Sequence, residues 1–157
     1  MKIRTDYVTN SSSSSFILGF NNKEDINTII DNEFPRWWNG YYKETVKTDI
    51  EQGITTKEQA IMYYLLDTVD SIWELTFNDK MLWSLSQEEM NSDEFQNFIK
   101  TEIIPHYTIP SWFSNELETA NIISIVEYAD GDGEIWSEIE HEVMPKLSCT
   151  IDRISHH

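Results

Sequence analysis

The chain has 157 residues, a net charge of −17 and 39% hydrophobic content, with 6 Trp, 7 Tyr and 7 Phe. That supply of bulky side chains excludes wholesale disorder, and the length suits one domain over residues 1–157. A single cysteine, Cys149, excludes an internal disulfide framework and any Cys-rich zinc module, and it suits a reducing, cytoplasmic setting.

The charge is unevenly placed. Residues 1–50 carry 6 basic and 7 acidic side chains, whereas residues 51–157 carry 5 and 21. Between Lys100 and Lys146 there are ten acids and no Lys or Arg. Such a field repels phosphate backbones and draws in a basic partner. Direct binding of nucleic acid is therefore not expected, because it needs a Lys/Arg footprint. No stretch approaches eighteen continuous apolar residues, so no membrane helix is expected, and Met1–Asp6 lacks the apolar run of a secretory signal.

In chain order, residues 2–9 alternate weakly and read as a strand. Asn10 and Ser11 to Ser15 read as a loop, and Phe16 to Phe20 as a second strand, which makes an N-terminal hairpin. Asn22 reads as a helix N-cap, followed by Ile26, Ile29, Ile30 and Phe34 on one helical stripe, with Pro35 as the stop. Residues 36–42 hold an aromatic cluster around a turn. Thr55 with Glu58 suggests a capping box for a helix over 56–75, with Ile61, Leu65, Val69 and Ile72 on its core face. Ser92 opens another helix carrying Phe95, Phe98, Ile99 and Ile103, which Pro105 ends. Asn121 to Tyr128 is β-rich. Asp130-Gly131-Asp132-Gly133 signals a tight hairpin turn. Ile135 to Val143 alternates with period 2, which predicts a returning strand with Trp136, Glu138, Glu140 and Glu142 on one face. Cys149 to Ile154 suggests a final strand. The expected fold is α+β: N-terminal and C-terminal antiparallel hairpins in a small sheet, packed by three to four helices.

The leader Met1-Lys2-Ile3-Arg4-Thr5-Asp6-Tyr7-Val8-Thr9-Asn10, followed by five serines and Phe16, resembles that of a family of uncharacterised bacterial and phage-borne proteins. The Asp-Gly-Asp-Gly stretch with Glu140-His141 is more loosely similar to the family's C-terminal part. The resemblance implies a bacterial cytoplasm and a phage or other mobile element. It carries no catalytic residue.

Candidate sites follow from residue type and spacing. The primary one is partner-binding: Asp130, Asp132, Glu134, Trp136, Glu138, Glu140 and Glu142. A secondary one is the cluster Arg36, Trp37, Trp38, Tyr41 and Tyr42, because Arg, Trp and Tyr dominate binding hot spots; the competing reading is a lid on the core. The serine run lacks the glycines and lysine of a phosphate loop and reads as a solvated loop. Residues 130–141 fail the register of a calcium loop. Of the four histidines, His141 with His156 or His157 and an acid could make a two-His-one-carboxylate metal site, but no spacing demands it. Cys149 with His141 lacks a third catalytic partner. No metal, cofactor or catalytic set is expected. The expected function is non-enzymatic binding to a basic protein surface, in its sharpest form a phage-type inhibitor that mimics nucleic acid and blocks a basic groove of a host enzyme. The alternatives are a small metal- or Cys/His-dependent enzyme, and an accessory protein whose acidity serves only solubility.

Overall fold

The computed structural model describes residues 13–35 and 40–156, and it is an α+β domain. Four strands form one antiparallel sheet: β1 (Ser13–Phe20), β2 (Ile54–Thr55), β5 (Ile122–Ala129) and β6 (Thr150–His156), in the order β2-β5-β1-β6. Strand β1 lies at the centre, paired with β5 (Ser13 opposite Ala129) and with β6 (Ser13 opposite His156). A separate small hairpin joins β3 (Thr76–Phe77) to β4 (Lys80–Met81). Its two-residue turn holds Asn78 and Asp79 at φ 52° and 63°. Asn and Asp tolerate this left-handed backbone better than other side chains, and it matches the twist of a tight hairpin.

The sheet is covered on both faces, which is why β1 is apolar on both sides rather than alternating. Phe16, Leu18 and Phe20 of β1, with Val126 and Tyr128 of β5, enter one core. That core includes Ile26 and Ile30 of α1 (Lys23–Glu33) and Val46 and Ile50 of α2 (Gly40–Gln52). Ile17, Ile123 and Ile125 enter the other. They meet α3 (Lys57–Thr68), α5 (Asp93–Phe98) and α6 (Ser111–Thr119) there, through Met62, Leu65, Phe95, Phe113 and Leu117. A short helix, α4 (Gln87–Met90), leads into α5.

Several local signals are realised. Asn22 caps α1 with a reciprocal capping box to Asp25. Ser92 caps α5. Helix α3 is capped by Thr56 rather than Thr55, and it ends at Thr68, giving way to a 3-10 turn over Asp70–Glu74. The strand read over residues 2–9 and the cluster residues Arg36, Trp37 and Trp38 lie outside the described residues, as do Ser11 and Ser12.

Three expectations are corrected. Ser13, Ser14 and Ser15 are not a solvated loop but the first residues of β1, at most 1% exposed. The Asp130–Asp132 stretch is a 3-10 turn, not a hairpin turn. Residues 135–143 are not a strand. They form α7 (Glu134–Glu138) and a widened π turn (Ile139–Val143), and β5 pairs with β1 instead. No C-terminal hairpin exists among the described residues.

Candidate functional site

The acidic segment begins at Gly133, whose φ of 131° suits glycine and no other residue. Its carbonyl accepts the Ser137 N–H at 2.9 Å and starts α7. At the far end Pro145 has no N–H to donate, and its ring crowds the carbonyl four residues back. The ladder slips by one: the Met144 N–H bonds to the Ile139 carbonyl, five residues back. The same arrangement ends α5, where the Ile104 N–H reaches Ile99 just before Pro105. Extra-residue turns of this kind recur at functional sites.

The helix redistributes the seven predicted partner-binding residues. Asp132, Glu134, Glu138 and Glu142 are exposed, and Asp130 is half-buried. Glu134, Glu138 and Glu142 fall at steps of four, which places them along one side at a rise of about 6 Å per step. Glu142 also receives Lys146 at 3.1 Å. Trp136 points inward: its indole stacks on Tyr128 at 5.4 Å between centroids and meets Tyr42 edge-on at 5.5 Å. Glu140 is wholly buried and is removed from any contact surface.

Around Glu140 the tertiary structure assembles a polar cluster. The Ser14 hydroxyl donates to Glu140 Oε2 at 2.9 Å, and Arg153 Nη2 lies 3.6 Å from the same oxygen. Arg153 Nε donates to Ser14 Oγ at 3.1 Å. His141 Nε2 lies 3.5 Å from Glu140 Oε1 and 4.0 Å from Asp130 Oδ2. Asp130, Glu140 and His141 offer ligand atoms within 4.8 Å of one another, so they could hold a cation by residue type. Arg153 argues against it. Its Nη2 is 3.1 Å from His141 Nδ1, and a guanidinium only donates. Nδ1 must then be the acceptor, and the ring proton sits on Nε2, the nitrogen that a metal would need. The cluster therefore reads as a half-buried network around Glu140 that ties β1 and β6 to the π turn. Ser14 and Arg153 are its unforeseen members. Arg153 had one sequence signal, as the only Lys or Arg after Lys146; Ser14 had none.

The secondary cluster joins the primary one. Tyr41 and Tyr42 open α2, with rings 5.2 Å apart, and Tyr42 meets Trp136 of α7. Tyr128 then donates its hydroxyl to Asp49 of the same helix at 2.9 Å. Tyr42, Trp136 and Tyr128 are thus core-side packing, and Tyr41 alone of them is well exposed. Cys149 is buried, and burial together with the Glu33 charge pushes its thiol up to about 12, which suppresses the thiolate a nucleophile needs.

The wider surface is one-sided in charge. Among the described residues nineteen Asp and Glu are exposed, against four Lys. Three of those lysines, Lys80, Lys100 and Lys146, face Glu89, Glu58 and Glu142 at 3.1–3.6 Å. No helix among the described residues is long and apolar enough to cross a membrane. No known protein-family model, no curated protein and no solved structure matches this chain.

Proposed function

We propose that this protein is a non-enzymatic binding protein that sets an acidic surface against a basic groove of a protein partner. The observation that carries the reading is the exposed carboxylate row Glu134, Glu138 and Glu142 with Asp132, on a surface of nineteen exposed acids and four exposed lysines. Like charges at steps of four repel one another by a few tenths of a kcal/mol per pair, so the row weakens its own helix. A basic groove relieves that repulsion and gains on-rate from the field. The resemblance of the leader supplies the finer form: a phage-type inhibitor in a bacterial cytoplasm that occupies the nucleic-acid groove of a host defence enzyme.

The test is affinity capture from a bacterial lysate at 50 and 300 mM salt. Wild type is compared with Glu134→Lys/Glu138→Lys/Glu142→Lys and with Glu51→Lys/Glu94→Lys/Glu102→Lys, which changes the net charge equally. Wild type and the second variant should retain a basic nucleic-acid-binding protein that duplex DNA displaces. The first variant should lose it. Equal loss from both variants reduces the effect to net charge, and capture that DNA does not displace overturns the mimicry. A second reading, a metal-dependent site, has the Asp130–Glu140–His141 approach in its favour. About one equivalent of transition metal retained by untagged protein, and lost in His141→Ala, would establish it.

A further inference from the structure

The β3–β4 hairpin presents a feature that its acidic neighbours do not explain. Among the described residues five large hydrophobics are exposed, and two of them, Met81 (44%) and Trp83 (54%), lie within three residues of each other. The Trp83 indole N–H donates to the Met81 sulfur at 3.0 Å, which fixes the two side chains as one platform. The backbone beneath it is firmly held. The Leu82 N–H bonds to the Leu75 carbonyl at 2.9 Å, Leu82 is wholly buried, and Phe77 meets Phe95 edge-on at 5.1 Å. Trp112, the other exposed indole among the described residues, packs against Tyr64 and Phe113, whereas no described aromatic ring packs against Trp83. Exposing a Trp costs solubility, and a ring held over a rigid turn is already ordered for binding.

The charge around the platform selects its occupant. Glu74, Asp79 and Glu88 are exposed within nine residues of Trp83 along the chain, and Lys80, the one Lys or Arg in that stretch, is held by Glu89 at 3.2 Å. An exposed indole with a thioether beside it and acids on the flanking segments suits a guanidinium: the ring attracts the cation, and the acids complete the pairing. A second copy of a chain with net charge −17 is a poor occupant. We infer that the Met81–Trp83 platform on the β3–β4 hairpin is a docking anchor for an arginine side chain of the protein partner. The inference rests on the reading above that the partner is basic, and it adds a second contact, away from α7.

The probe is a hexa-arginine peptide titrated into isotopically labelled full-length protein at 150 mM salt. The indole N–H resonance of Trp83, assigned by its loss in Trp83→Phe, is followed together with the backbone resonances. The Trp83 resonance should shift saturably, and Trp83→Ala should weaken binding about tenfold, within the range of a partly desolvated cation–π contact. Hexa-lysine should bind more weakly than hexa-arginine, because an ammonium cannot stack. Met81→Lys, at an exposed position, should give the same loss and remains informative if Trp83→Ala does not fold. Unchanged affinity in Trp83→Ala and Met81→Lys, with shifts confined to α7, overturns the anchor and leaves the acidic reading standing. No binding of the peptide even at 50 mM salt overturns both. A wild-type dimer that Trp83→Ala dissociates assigns the platform to a second copy and overturns the inference.

Discussion

Two buried polar side chains show how the residue environment decides what a substitution does. Glu140 is fully buried but meets Ser14, His141 and Arg153, so its charge is engaged from two strands and its own turn. Tyr63 of α3 is 3% exposed, and its hydroxyl has no hydrogen-bond partner among the described residues. Burial, with the Glu127 charge adding to it, pushes that phenol well above its ordinary range, so it stays protonated. An unmade hydrogen bond in the interior costs about 1–3 kcal/mol of desolvation, and removing the group removes the cost. Tyr63→Phe should therefore raise stability by about 1 kcal/mol. Urea denaturation with unchanged m-value checks this, and a loss of stability would show that the hydroxyl has a partner in solution.

At the scale of elements, the turn from α2 to β2 is set by one glycine. The Gly53 N–H bonds to the Asp49 carbonyl at 2.9 Å, and its own carbonyl accepts the Ile125 N–H at 3.0 Å. A Cβ on Gly53 would lie 2.3 Å from the Ile125 carbonyl oxygen, a backbone atom of β5 that cannot rotate away. Gly53→Ala should cost about 3 kcal/mol, the upper end of what overpacking usually costs. A melting shift of several degrees would register it; an alanine variant that melts with wild type would show that β2 detaches freely. The segment 134–143 illustrates the opposite situation, in which no single residue decides. Ile135, Ile139 and Val143 satisfy a period of two and a step of four equally. In a strand the polar Ser137 and His141 would share the face of Ile135, Ile139 and Val143, which is the sequence sign against that period.

For the whole molecule, the dominant quantity is negative charge, and pH is its lever. Burial raises the carboxyls of Asp49 and Asp152 above the ordinary 3.8, and for Asp152 the charge of Asp67 adds to it. A raised folded value means that the native state binds protons more readily than the unfolded chain does. These groups therefore contribute stability below the ordinary value, and it is lost as pH rises through the folded one. The general repulsion among 28 acids acts in the same direction. Glu89 runs the other way: the Ser86 backbone N–H, then Lys80, lower it, so its contribution is lost only as pH falls through its folded value, below 4.5. Urea midpoints should accordingly fall as pH rises from the ordinary carboxyl range to pH 7.5, and salt should narrow the gap by screening. Equal midpoints at the two ends would mean that the unfolded chain feels the same repulsion.

The sequence by itself determined the class of fold, the capped starts of α1 and α5, the strands over 16–20 and 122–128, and the lopsided charge. Each depends on local chemistry: a side chain reaching its own backbone, a run of apolar residues, a count of carboxylates. Only the tertiary structure decided that Ser13 to Ser15 are a buried part of the central strand, because serine enters a strand when a neighbour such as Glu140 or Arg153 satisfies its hydroxyl. It also decided that residues 135–143 are helical: the segment covers the face lined by Phe16, Val126 and Tyr128, while β1 and the short β2 pair with β5. The candidate site changed for the same reason. A strand presents Trp136, Glu138, Glu140 and Glu142 together, whereas a helix turns Trp136 and Glu140 to the core and leaves Glu134, Glu138 and Glu142 outside. Which period a segment adopts is settled by what packs against it, and that partner is distant in sequence.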